Sequence, residues 1–138
     1  MTHYVELISE KVEKQFSAMT FIYKNNIVVA YRGTDHTFVG WKEDLNMSFL
    51  KKIPAQIEAK KYLEDIMKKF KGNVILTGHS KGGNLAVYAG GFVDKKYINR
   101  IKSIFNFDGP NLNNTLSIKL KEKNIIPKIK KLFHRVQL

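Results

Sequence analysis

The chain contains no cysteine. A disulfide framework, a thiolate metal site and a cysteine nucleophile are therefore excluded, and any nucleophile must be another residue type. Proline is scarce, at three residues in 138, and no stretch is rich in proline or serine, so no linker is expected to divide the chain. Long apolar runs are also missing. The longest are strand-sized and fall well short of the roughly 20 residues that span a bilayer, so an integral membrane protein is not expected. Residues Met1–Glu13 lack the basic and apolar regions of a secretory signal, which makes a cytoplasmic location the expectation. Acidic residues are the minority charge, 12 against 24 basic, for a net +12. Alone, such a surplus would suggest nucleic acid or anionic lipid as partner. Half of it lies after residue 117, where Lys119, Lys121, Lys123, Lys128, Lys130, Lys131 and Arg135 stand against Glu122 alone. These basic stretches lack interleaved aromatics and carry no nucleic-acid motif, so no nucleic-acid partner is expected.

What is present is a globular composition, 43% hydrophobic and 26% charged, in a length that suits one domain with a core. Phe16–Tyr23 and Ile27–Tyr31 are rich in β-branched and aromatic residues and flank Lys24-Asn25-Asn26, which reads as a β-hairpin. Pro54 opens a helix whose apolar stripe is Ala55, Ala59, Tyr62, Leu63, Ile66 and Phe70, with Ile57 off that face and Gly72 as the stop. Val74–Thr77 is a short apolar strand, Asn84–Val93 an apolar helix containing Gly90 and Gly91, and Ile101–Phe107 a further strand. Strand, helix, strand, helix, strand predicts an α/β layer with a parallel sheet.

Between the second strand and its helix stands Gly78-His79-Ser80-Lys81-Gly82. This is Gly-x-Ser-x-Gly, in which a serine takes a strained conformation in a sharp strand-to-helix turn and its neighbours lack side chains to avoid clashes. The turn presents the Ser80 hydroxyl above the sheet edge, and the backbone NH of Lys81 at the helix start can point at an oxyanion. Set against this is an ordinary tight turn or a phosphate-binding loop; a Walker-type loop is excluded because no Gly-Lys-Ser/Thr follows. A second oxyanion donor should come from a loop after an earlier strand. Arg32-Gly33-Thr34-Asp35 supplies Thr34 there.

These residues resemble a family. RGTD, GWKEDLNMSF (40–49), PAQIEA (54–59), GHSKGGNLAVYA (78–89) and FNFDGP (105–110) are similar to the bacterial Mbeg-type hydrolases, relatives of the class-three lipases within the α/β-hydrolase superfamily. The resemblance runs from about Gln15 to Pro110. It implies a three-layer α/β-hydrolase-like fold with a mostly parallel, incomplete sheet, Ser80 as nucleophile, and the backbone at Thr34 and Lys81 as oxyanion hole. The elbow glycines are Gly78 and Gly82. It implies no cofactor. It also implies a longer amino-terminal region, so residues 1–138 read as a single partial domain, with a motif-bearing core near 15–110 and a basic tail over 117–138.

A serine nucleophile needs a base, and in this superfamily the chain order is Ser, then Asp or Glu, then His. His3 and His36 precede the serine, and the side chain of His79 is expected to be structural; His134 alone stands in the right order. Asp108 reads equally as the acid or as a turn former in Asp-Gly-Pro, and Asp94 is a weaker candidate. The tail adds a competing expectation. Back-translated through its A-rich run, with one A added, the text after Lys131 becomes Ile-Val-Pro-Gln-Ser-Ser-Ile, which resembles a segment the family carries. On that reading the residues after Lys131 are out of frame, His134 is an accident, and the chain is an inactive fragment lacking the catalytic histidine. The side chain of Lys81 is expected to reach solvent or pair with Asp35 or Asp108 rather than meet an anionic head group. Trp41–Asp44 reads as packed support, and no His or carboxylate cluster has metal spacing. The leading expectation is a serine hydrolase of esterase or lipase type, acting on a carboxylic ester or acyl lipid, with peripheral membrane contact among its partners.

Overall fold

The computed structural model describes residues 6–12, 16–33 and 54–133. Thr34, Asp35, His36, Trp41–Asp44, His3 and His134 lie outside the described residues. Six strands form one sheet in sequential order: β1 (Glu6–Val12), β2 (Phe16–Tyr23), β3 (Asn26–Gly33), β4 (Asn73–His79), β5 (Ile101–Phe107) and β6 (Ile129–Leu132). The first three pair antiparallel and the last four parallel. The hairpin, the β4 strand and the β5 strand stand where the sequence pattern puts them. Strands β1 and β6 do not appear in that pattern.

Helix α1 (Pro54–Lys69) starts at its proline, whose missing N–H costs nothing in the first turn. It buries Ala55, Ala59, Tyr62, Leu63, Ile66 and Met67, while Ile57 is 45% exposed, as its position off the stripe requires. The helix ends under Arg100, whose Nε, Nη1 and Nη2 donate to the carbonyls of Gly72, Met67 and Phe70 at 2.9, 2.6 and 2.6 Å. One guanidinium fork thus satisfies carbonyls that the last turn leaves without intrahelical partners. Gly72 has φ +129, and a Cβ there would lie 2.6 Å from the Asn25 carbonyl oxygen, so only glycine fits this passage into β4.

Helix α2 (Lys81–Phe92) is buried on nearly every side, short α3 (Lys95–Ile98) follows it, and α4 (Asn114–Glu122) precedes a single 3₁₀ turn (Ile126–Lys128). The alternating residues Ala18, Val29, Tyr31, Leu76 and Ile104 on one sheet face join those of α1, α2 and α4 in one core. Polar ties reinforce it: Tyr31 Oη donates to the Ala59 carbonyl at 2.8 Å, and Thr20 Oγ1 meets Tyr62 Oη at 2.7 Å. Burial, followed by the nearby Tyr62, raises the Tyr31 phenol well above its usual range. The register puts Met19, Phe21, Val28, Ile75, Phe105, Phe107 and Leu132 on the opposite face. That face is half-buried to exposed, with Met19 at 37% and Leu132 at 44%. Among the described residues, no helix is long and apolar enough to cross a membrane.

Candidate functional site

Parallel strands β4, β5 and β6 all end at one rim of the sheet, and the residues that follow them gather there. Ser80 links β4 to α2 with φ 54 and ψ −123, a region that costs a residue with a Cβ about 1–3 kcal/mol. Its side chain makes no capping bond to the helix, although serine is a favoured N-cap residue. The conformation is held from three sides. Ser80 N donates to the Phe107 carbonyl at 2.8 Å, and Ser80 O accepts from Gly83 N at 2.9 Å and Asn84 N at 3.3 Å.

Packing explains the glycines. A Cβ on Gly78 would lie 2.2 Å from the Gly82 carbonyl oxygen, and one on Gly82 would lie 2.2 Å from the Tyr31 carbonyl oxygen. Backbone on both sides cannot give way, so α2 approaches β3 and β4 only because neither residue has a side chain. Of the two expectations for the Lys81 side chain, extension to solvent does not hold, since the residue is 4% exposed. A Cβ on Gly33 would meet the Lys81 Cβ, Cδ and Cγ at 2.6, 2.8 and 2.9 Å, so the lysine stem fills the place of a side chain at the end of β3.

Asp108 has φ 55 and follows β5 directly, its N donating to the Leu132 carbonyl at 2.8 Å. Strand β6 therefore fixes the start of the loop that carries it. The carboxylate Oδ2 lies 3.9 Å from His79 Nε2, and the His79 side chain is 73% exposed. His79 is thus an exposed rim residue beside Asp108. Asp94 stands just past the far end of α2, whose last residue, Phe92, is about 18 Å along the axis from Ser80 at the helical rise. There its Oδ1 accepts from Lys96 N at 3.2 Å, capping α3.

Three buried polar residues not singled out in the sequence hold the rim together. Gln56 on α1 donates through Nε2 to Asn84 Oδ1 at 2.9 Å, and Asn84 Nδ2 donates to the Pro110 carbonyl at 2.9 Å. Asn106 Oδ1 accepts from Gly109 N at 2.8 Å. Gly109 lies so close that a Cβ there would be 2.6 Å from Ser80 O. Gln56, Asn84 and Asn106 are 2%, 0% and 3% exposed, so the bonds between α1, α2 and the loop after β5 act in a dry environment. The signal for them was a polar residue at an apolar position in an otherwise periodic element.

A model of the Mbeg1-like family matches residues 1–136. The chain belongs to the Mbeg1-like family. The match extends beyond the 15–110 stretch that carries the quoted motifs. Two solved structures similar to this Mbeg1-like chain are fungal lipases. One, described as a crystal structure of fungal lipases, matches with TM-score 0.64 at 12% identity, over 92% of this chain and 54% of its own. The other, a fungal lipase–inhibitor complex, matches with TM-score 0.68 at 16% identity, over 97% of this chain and 59% of its own. The fold is that of an α/β-hydrolase, and the chain spans between half and three-fifths of the length of these lipases. None of the curated proteins compared with it matches.

Proposed function

We propose that this Mbeg1-like chain carries the nucleophilic part of a serine ester hydrolase of lipase or esterase type. The observation that bears most weight is the φ 54, ψ −123 conformation of Ser80, at a strand-to-helix turn whose flanking glycines have no room for a Cβ. A strained non-glycine residue, in a place where glycine would be easier, is retained for its side chain. In this reading Ser80 Oγ attacks the acyl carbonyl of a carboxylic ester or acyl lipid. The oxyanion is held by the amides of Lys81 and Thr34, with the positive end of the α2 dipole behind it. The alcohol leaves, and water releases the acyl group from Ser80. Asp108 stands in the chain order expected of the acid, at the same rim, and His134 is the candidate base. The enzyme is cytoplasmic, and contact with lipid assemblies is peripheral.

Labelling with a fluorophosphonate tests this directly. The expected result is stoichiometric modification of the folded chain that disappears in Ser80→Ala. A folded sample that takes no label would overturn the reading and favour an inactive member of the family. His134→Ala, compared for labelling rate, then asks whether that histidine is the base.

A further inference from the structure

Much of the basic surplus has no part in the serine site, and some of it converges elsewhere. On the helical layer, α1, α2 and α4 enclose a cleft of about 550 Å³. Its lining includes Lys60 from α1, Tyr88 and Phe92 from α2, Thr115 and Lys119 from α4, and Lys123 just beyond. The spacing brings these together: residues 88 and 92 are one turn apart on α2, and residues 115 and 119 one turn apart on α4. Ser80, at the start of α2, is about 12 Å from Tyr88 along the axis at the helical rise.

Two features of this cleft bear on what it could hold. Tyr88 is 5% exposed and lines the cleft, and its hydroxyl has no hydrogen-bond partner among the described residues. The lysines are also crowded: Lys60 reaches Glu64 at 4.0 Å, Lys119 has no ion pair among the described residues, and Lys123 Nζ lies 4.9 Å from the Phe92 ring centroid. Glu122 is the one acid in the lining. We propose that this cleft is a binding site for a phosphate-bearing ligand, held by Lys60, Lys119, Lys123 and the hydroxyls of Tyr88 and Thr115.

Three ammonium groups and two hydroxyls around one cleft offer more donors than a planar carboxylate can take up, whereas a tetrahedral dianion accepts from several directions. The volume exceeds that of a phosphate group, and the organic remainder of the ligand lies against the tilted pair of Tyr88 and Phe92, whose ring centroids are 4.8 Å apart. Desolvation, then Lys60, Lys95 and Lys119, lowers the Lys123 ammonium below the usual lysine range, with Glu64 opposing. A bound dianion would relieve that repulsion. This site does not depend on the reading of Ser80.

The test is calorimetric titration of the full chain with glycerol phosphate, with inorganic phosphate and sulfate as comparators, at two salt concentrations. Saturable binding of glycerol phosphate, tighter than sulfate, is expected. Tyr88→Phe removes one hydroxyl that has no hydrogen-bond partner among the described residues; it should fold as well as the parent and bind about tenfold more weakly. Lys119→Ala with Lys123→Ala should weaken binding further, whereas Lys102→Ala, outside the cleft, should not. Sulfate binding as tight as the phosphate ester, or equal affinity in parent, Tyr88→Phe and the double variant, would overturn the proposal. Vesicles of phosphatidylcholine with and without phosphatidic acid separate the two sources of the group. Cleft-dependent binding to the phosphatidic acid vesicles identifies a lipid head group, and binding of the ester without the vesicles identifies a free metabolite.

Discussion

Ser80 and Gly78 sit within two residues of each other and answer to opposite demands. Gly78 has no alternative, since a side chain there would run into the Gly82 carbonyl. Ser80 is the reverse, a residue with a Cβ held at φ 54 where glycine would rest without strain. The Ser80→Gly variant should therefore be more stable than the parent. Relief of strain contributes about 1–3 kcal/mol, and the extra unfolded-state freedom of glycine takes back up to about 1 kcal/mol. A net gain of about 1 kcal/mol in urea denaturation, with complete loss of fluorophosphonate labelling, is the expected pair of results. A loss of stability would mean that the turn is not strained. Such opposition of stability and activity is the usual mark of a residue kept for chemistry.

At the scale of elements, α1 shows how a distant side chain completes what local sequence starts. Pro54 begins the helix and its apolar stripe places it, but its last carbonyls are satisfied by Arg100, which the chain supplies just before β5. Arg100→Ala should cost about 2–4 kcal/mol in denaturant unfolding, and Arg100→Lys should recover only part, because an ammonium cannot present a planar fork to three acceptors. The elements with strong periodicity were legible in the sequence: the hairpin, α1, β4, α2 and β5. Strand β6 was not, because Ile129–Leu132 reads Ile-Lys-Lys-Leu, four residues at a sheet edge without apolar alternation, and a lysine-rich tail reads as solvated. The site divides in the same way. The turn at Ser80 is local and was visible in five residues, while Gln56, Asn84 and Asn106 find one another only through tertiary packing.

For the molecule as a whole, the described helices α1, α2 and α4 share one face of a sheet that is mostly parallel. Parallel sheets in hydrolases are covered on both faces, and here the second face carries Met19, Phe107 and Leu132 at 37%, 38% and 44% exposure. The full chain in isolation is expected to self-associate. Light scattering on samples from 5-fold serial dilution should show mass rising with concentration, and Met19→Lys with Phe107→Lys should hold it at 15.9 kDa. Because the two side chains point away from the core, the double variant should change unfolding free energy by less than about 1 kcal/mol. Unchanged association would show that this face is not the cause.

The bond from Ser80 N to the Phe107 carbonyl has a consequence in time. During synthesis the Gly78–Gly82 turn leaves the ribosome well before β5 does, at a few to about 20 residues per second. Until β5 has docked beside β4, the amide that fixes the serine has no acceptor, and the loop that covers it has not been made. The nascent chain can thus form its hairpin and first helix while Ser80 is still relaxed, and the strained conformation arrives only with the strand that holds it.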